Sequence, residues 1–240
     1  MTVRADLHIH SCLSPCGDLD NSPAALARTA RERGVDLIAL TDHNSALNTP
    51  AFGEACRREG ITALYGLEVT TREELHVLCL FGDTSAALTM SSQVYEVLPA
   101  VPNDPERFGD QVYVDAQDVI LGEVDKYLVS AVSWSMEETL EACHALGGLF
   151  VPAHIDRSMH SVWSQLGFLP EGGYDAVEIT KDPCPVDTRD YPIITDSDAH
   201  YLDDVGTRTF TFDGDAPTFA ALRAALTAGT VAPDTRRRRF

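Results

Sequence analysis

The amino-acid sequence predicts an α/β fold built as one barrel-sized domain, and three observations carry that expectation. Apolar runs of strand length alternate with amphipathic stretches of helix length. The 240 residues, 44% of them hydrophobic, suffice for one substantial core and match the size of a single α/β barrel. Histidines and carboxylates gather where the apolar runs end, which is where parallel barrels carry their chemistry.

Taken in order, ADLHIHS opens as a strand and PAALARTARERG follows as a helix. DLIALTDHN reads as a strand, AFGEACRREG as a helix, and ITALYGLEVTT and ELHVLCLFG as two further strands. From about 83 to 126 the rhythm breaks. VPNDPERFGDQ, rich in Pro, Asn and Asp, predicts a mid-chain insertion or lid over the mouth. SMEETLEACHALGG restores a helix, with Ser135 placed to cap its start and Gly147 and Gly148 to end it. LFVPAH is a buried strand, DRSMHSVWSQLGFLPEGG a loop, AVEIT and PIITDSDAH strands, and APTFAALRAALTAGT a helix. Residues 233–240 form a basic tail whose arginine run reads as a solvated terminus rather than a nucleic-acid contact. No internal repeat is visible, so residues 1–240 are read as a single domain.

Asp and Glu outnumber Lys and Arg 37 to 18, a formal charge of −19. That balance offers no broad basic surface, and the expectation is no duplex nucleic acid and no membrane among the partners, while a small anion held by metals remains compatible. No apolar run approaches the length of a membrane span and the first residues carry no signal-like apolar region, which predicts a cytoplasmic protein. Six cysteines (Cys12, Cys16, Cys56, Cys79, Cys143, Cys184) show no paired framework and are expected as thiols. Cys12 and Cys16 form a CxxxC, but no second pair completes a thiolate zinc site.

The chemistry concentrates in short motifs. On a strand, alternate side chains share a face, so Asp6, His8 and His10 of DLHIH are expected to point one way and Leu7 and Ile9 into the apolar layer. Asp196, Asp198 and His200 of TDSDAH repeat the pattern after PII. Between them lie Asp42 and His43 after LIALT, Glu68 after LYGL, His76 before VLCLF, and His154 after LFVPA. Six of the eight histidines thus sit at strand ends, more than accident would place there. Imidazole with carboxylate suits Zn, Mn or Fe better than Mg or Ca. Two or three such ions, with Glu68 as a bridge, would lower the pKa of a water and bind the substrate oxygens, as a slow phosphate ester requires. Arg157, soon after His154, and Lys181 in EITKD are candidates to grip the phosphate. His160 is a further candidate substrate contact, and His144, inside a helix, is read as structural.

The set DLHIHS, LTDHN, GLEVTT with EELHVL, PAHIDR and DSDAH resembles the motif signature of the PHP (polymerase and histidinol phosphatase) superfamily, in family order from Asp6 to His200. The resemblance implies a distorted (βα)7 TIM-like barrel and a trinuclear site. It assigns His8, His10, Glu68 and Asp198 to one metal, His76 and His154 to a second bridged by Glu68, and His43 and His200 to a third. The loop CLSPCGDLD would complete the third, through Asp18 in preference to Cys16 or Asp20. Asp6, Asp42 and Asp196 are expected to orient imidazoles. Within the superfamily the chain looks most like the stand-alone metal-dependent phosphoesterases. The expected function is hydrolysis of a small phosphomonoester, histidinol-phosphate-like or a nucleotide, by a metal-activated hydroxide, with Asp198, Glu68 and Arg157 as catalytic residues. The rivals are an amidohydrolase-type C–N hydrolase and a non-catalytic metal-binding PHP module.

Overall fold

The structure is a computed structural model and describes residues 1–234. The arginine run of the tail lies outside the described residues. β1 (Thr2–Asp6) leads to α1 (Pro23–Glu32), which starts where Ser22 accepts a hydrogen bond from the Ala25 amide and Pro23 fills the first turn. β2 (Leu37–Leu40) and α2 (Thr49–Glu59) form the second unit, closed by Gly60 at φ 71°. β3 (Thr62–Thr70) and β4 (His76–Phe81) come next, then α3 (Thr84–Val97), α4 (Pro105–Phe108) and the hairpin β5 (Val112–Val114) and β6 (Ile120–Glu123). α5 (Met136–Ala145) begins with the predicted Ser135 cap, in a reciprocal box with Glu138. β7 (Leu149–Pro152), α6 (Val162–Gln165), β8 (Val177–Glu178), β9 (Ile193–Ile194), β10 (Thr209–Asp213), α7 (Phe219–Thr227) and β11 (Val231–Asp234) complete the chain.

Seven strands form one sheet in the order β11-β10-β1-β2-β3-β4-β7. Only the β1–β2 and β2–β3 pairs are parallel, and the other four are antiparallel. The expectation of seven regular βα repeats is corrected accordingly. Segment 71–75 between β3 and β4 is far shorter than the roughly dozen residues a parallel crossover needs, so β4 folds straight back as a hairpin. The parallel pair β8–β9 carries the curl onward. The Asp175 amide donates to the Phe150 carbonyl (3.0 Å) and the Ile155 amide to Glu178 (2.9 Å), while the Asp234 amide donates to Thr195 Oγ1 (2.9 Å) on the other flank.

Strand alternation divides the core. Leu37 and Ala39 join Val3, Ala5, Leu64, Leu78, Leu80 and Val151 on one side of the sheet; Ile38 and Leu40 pack with Leu26 and Phe52 of α1 and α2 on the other. Alternation breaks where β1 ends. Leu7 stays with Val3 and Ala5, but Ile9 packs with the α1–α2 group. Asp6 is therefore not on a common face with His8 and His10: its carboxylate accepts from the amides of Ser197 (3.0 Å) and Gly206 (2.7 Å).

Segment 83–126 is not one lid. α3 buries Ala87, Met90 and Val94 against the sheet, as an ordinary wall helix does. The departure begins after it, and the β5–β6 hairpin is sewn to the loop that follows β1: the Val112 amide donates to Cys12 (3.3 Å), the Val114 amide to Asn48 Oδ1 (2.9 Å), and Ser22 Oγ to Asp118 (2.8 Å). Among the described residues no helix is long and apolar enough to cross a membrane.

Candidate metal centre

Glu68 lies near the end of β3, on the face that also carries Leu64, and its side chain is 1% exposed. Its Oε1 lies 3.1 Å from His8 Nε2, 2.9 Å from His76 Nδ1 and 3.2 Å from His154 Nε2. Its Oε2 lies 3.0 Å from His43 Nδ1 and 3.4 Å from His10 Nε2. Asp198 Oδ1 sits 3.2 Å from both His8 Nε2 and His10 Nε2 and 3.5 Å from His200 Nδ1, and Arg157 holds its Oδ2 at 2.5 Å. Two donors each about 2.1 Å from one ion, at angles between octahedral and tetrahedral, stand about 3.0–3.4 Å apart. The spacings here match that geometry.

The donor chemistry fits as well. His8 Nε2, His10 Nε2 and His43 Nδ1 are buried without a hydrogen-bond partner, as are the far nitrogens of His76 and His154. An unpaired buried polar atom is costly, so the three that face Glu68 and Asp198, His8 Nε2, His10 Nε2 and His43 Nδ1, point to an absent partner between them. Three groups can each hold an ion: His8, His10 and Asp198; His43, Glu68 and His76; and His10, His43 and His200.

Electrostatics follow from the crowding. Burial opposes the Glu68 carboxylate, yet the imidazoles of His76, His8 and His43 hold it well below the usual range. Asp198 is likewise held low against burial by His8, His10 and Arg157. Burial, reinforced by His200, pushes His10 well below the usual imidazole range, and burial pushes His76 down to about 4. Two donor residues, His154 at φ 31° and Asp198 at φ 50°, occupy left-handed backbone, strain of the kind that accumulates at functional sites.

A second ring of contacts holds the donors. Glu178 of β8, fully buried, accepts with its Oε2 from His8 Nδ1 (3.0 Å) and from the His154 amide (2.9 Å). It is the orienting carboxylate that sequence reading assigned to Asp6, and AVEIT offered no signal beyond a glutamate in an apolar run. Asp42 meets its expectation through a relay: it accepts from Ser11 and from Ser14 Oγ (2.7 Å), which in turn meets His10 Nδ1 (3.0 Å). Asp196 instead accepts from the Leu7 amide (2.5 Å), and burial beside Glu178 and Asp6 raises its carboxyl well above the usual range.

Other expected residues fall differently. His160 reaches the cluster, its ring stacked on His76 at 4.6 Å and 5°. Lys181 does not: its Nζ turns back to the Asp156 carbonyl (3.4 Å), because Asp156 pins the 180–181 backbone. Asp18 also turns away, its carboxylate accepting from the Asp20 amide (2.8 Å). Cys16, exposed and in none of the groups among the described residues that could hold an ion, stands beside His200 and His43, whose imidazoles bring its thiol down to about 6 against desolvation. His144 pairs with Asp175 (2.9 Å), outside the cluster as expected. Beside Asp198 and His200 opens a polar cavity of about 300 Å³ lined also by Arg157, Ser197, Asp204, Thr207 and Arg208. Arg208, with its Nε unpartnered, is a cation the sequence reading missed.

Residues 6–97 match the PHP domain family model. The chain belongs to the PHP family. Residues 186–231 of this PHP chain also match the model for the PHP-associated region. A 5′-3′ exoribonuclease of Haemophilus influenzae is 32% identical over 102 residues, 41% of this chain and 36% of that one. An error-prone DNA polymerase of Nocardia farcinica is 38% identical over 66 residues, 28% of this chain and 6% of the polymerase. The chain thus matches 36% and 6% of the length of these two curated relatives. Among solved structures, endonuclease Q of Pyrococcus furiosus superposes with a TM-score of 0.67 at 17% identity, over 97% of this chain and 58% of that one. An endonuclease Q complex with a 27-mer duplex carrying an abasic lesion at its active site gives 0.65 at 18% identity, over 95% and 57%. A protein of Bifidobacterium adolescentis assigned as a metal-dependent phosphoesterase gives 0.61 at 21% identity, over 93% and 95%. At these identities the likeness is one of fold.

The exclusion of duplex nucleic acid is overturned by the endonuclease Q complex, in which the same fold receives a duplex. Net charge sums the whole chain, including the buried carboxylates of the centre, whereas a bound backbone meets only the local groups and any ions there.

Proposed function

We propose that this chain is a metal-dependent phosphoesterase that hydrolyses a phosphomonoester at the cluster around Glu68 and Asp198. The observation that carries the reading is the single buried Glu68 carboxylate set among five imidazoles at ligand-to-ligand spacing, with Arg157 and Arg208 lining the adjoining cavity. His8, His10, His43, Glu68, His76, His154, Asp198 and His200 would hold two or three ions of zinc, manganese or iron. When bound, those ions supply a nucleophile at neutral pH and offset charge on the ester oxygens. Arg157, clamped on Asp198 Oδ2, fixes that carboxylate and leaves other guanidinium N–H groups for phosphate oxygens. His160, stacked on His76, stands where it can meet substrate.

A second reading places a nucleotide or a nucleic-acid end at the same centre; likeness to an exoribonuclease and to endonuclease Q supports it. The test is phosphate or nucleotide release by manganese- and zinc-loaded protein. The panel comprises histidinol phosphate, nucleoside monophosphates, 3′,5′-bisphosphates, 5′-phosphorylated oligonucleotides and a duplex with an abasic site. Turnover lost in Asp198→Asn is the expected result. Metal retained with no release from any substrate would refute the phosphoesterase reading, and release from the strands alone would favour the second.

A further inference from the structure

We propose that the stacked rings of Phe108 and Tyr127, with Arg107 beside them, form a platform for a nucleobase, so that the phosphoesters this centre prefers are those carried on a nucleoside. The inference rests on the phosphoesterase reading in its nucleotide form and names the feature that would select such substrates.

The rings are not there to fill the core. α4 buries none of its four residues, and Phe108 at its end stays 36% exposed. Its ring nevertheless stacks on Tyr127, centroids 4.4 Å apart at 29°. Over the same ring stands the exposed Arg107 guanidinium, 5.4 Å from the centroid and without an ion pair among the described residues. A short swing of that side chain opens the ring face to a planar ligand.

The frame beneath the rings is fixed. Gln111, 1% exposed, donates from Nε2 to the Val124 and Lys126 carbonyls (2.8 Å each) and accepts with Oε1 from the Leu128 amide (2.8 Å), which holds both chain neighbours of Tyr127. The Tyr127 amide donates to Val101 (2.8 Å), and Asn103 Nδ2 donates to the Gly109 carbonyl (2.9 Å) just past Phe108.

Two contacts set this frame on the flank of the metal centre. The Leu128 carbonyl, next to Tyr127, accepts from Asn44 Nδ2 (2.6 Å), and Asn44 directly follows His43. Gly109, next to Phe108, lies so close to the Pro15 carbonyl that a Cβ there would collide with it. Ser14, which precedes Pro15, meets His10 Nδ1 at 3.0 Å. Both rings thus stand on the side of the cluster that His10 and His43 form. A phosphate seated at the centre leaves the rest of its carrier outside, and this flank offers that remainder two aromatic rings and a cation. A sugar phosphate has no π-face to use there, whereas every nucleobase has one, and guanidinium planes stack on bases as aromatic rings do.

The probes are two phosphonates in which a methylene replaces the ester oxygen, one the analogue of adenosine 5′-monophosphate and one of ribose 5-phosphate. Neither can be hydrolysed, so calorimetric titration of the zinc-loaded full chain reads binding alone. The wild type is expected to bind the adenosine compound about 5–150-fold more tightly than the base-free one, the worth of one stacked base. Phe108→Ala should bring the two affinities close to parity, and Phe108→Trp should restore the preference, which separates a lost ring from a disturbed loop. Equal affinities in the wild type, binding of neither compound, or a preference that survives Phe108→Ala overturns the proposal. Phosphate release from the two natural esters judges the underlying reading separately. Release with equal affinities sinks the platform and keeps the phosphoesterase, while a base preference without release does the reverse.

Discussion

Replacing Glu178 with glutamine tests how the centre is held. Both of its bonds converge on one atom: Oε2 accepts from His8 Nδ1 at 3.0 Å and from the His154 amide at 2.9 Å, and Oε1 has no partner. A glutamine whose carbonyl takes the Oε2 position keeps both acceptances and loses the charge, while its amide nitrogen lands where nothing accepts. That orphan donor costs about 1–3 kcal/mol. Part is offset, because the Glu178 charge is one of the causes that raise the buried Asp196 carboxyl, and removing it relieves Asp196. The net stability change is therefore expected to be small, roughly 1 kcal/mol. Metal affinity behaves otherwise. Glu178 fixes the His8 tautomer with Nε2 toward Glu68 and Asp198, and loss of such an orienting charge typically weakens metal binding about 10–100-fold. Glu178→Ala, which strands two buried N–H groups, should cost roughly 2–6 kcal/mol in the metal-free protein as well. Urea denaturation of the metal-free chains and chelator competition for zinc separate the two quantities. Glu178→Gln that binds zinc within about twofold of wild type would show that the carboxylate is merely structural.

Arg208→Ala should raise KM for phosphorylated substrates about tenfold or more, the worth of one charge-assisted contact, with metal content unchanged; an unaltered KM would remove Arg208 from the substrate cavity. In the metal-free protein His76, pushed by burial down to about 4, stays neutral where the unfolded chain takes up a proton near 6.5. Its contribution is whole above pH 6.5 and lost as pH falls toward 4, at most about 3 kcal/mol. Asp6, raised by burial to about 6, acts in the opposite sense, so the readout is the wild-type slope of stability against pH minus that of His76→Asn. A zero difference would show that His76 is not held neutral by the fold. Gly66→Ala should destabilise by about 1–3 kcal/mol in thermal or urea melts, because its Cβ would strike the Cys79 carbonyl of the neighbouring strand. Gly147→Ala, with open space around it and φ 72°, should cost only about 1 kcal/mol, the strain of a left-handed backbone.

Local chemistry explains which elements were legible. Ser22, Ser135 and Gly60 carry their caps in the sequence, and the helices they bound lie where the pattern puts them. α3 was absorbed into an expected insertion because its apolar residues follow a β-hairpin rather than a strand-to-helix turn, and only packing shows Met90 and Val94 facing the sheet. β10 and β11 were missed, although Phe210 and Phe212 of β10 are buried. Asp6 was misplaced because alternation holds only while a strand lasts, and β1 ends at Asp6 itself.

By itself, the sequence determined the α/β class and the donor types, since HxH, DH and DxDxH at the ends of apolar runs are local patterns that strand geometry turns toward one mouth. Only the tertiary structure decided the strand directions, the choice of Glu178 over Asp6, the turning away of Asp18 and Lys181, and the approach of Cys16 to His43 and His200. Those outcomes depend on contacts between residues far apart in the chain, Glu178 meeting His8 across 170 positions, and no periodicity along the sequence records which distant groups a turn or a buried carboxylate will meet.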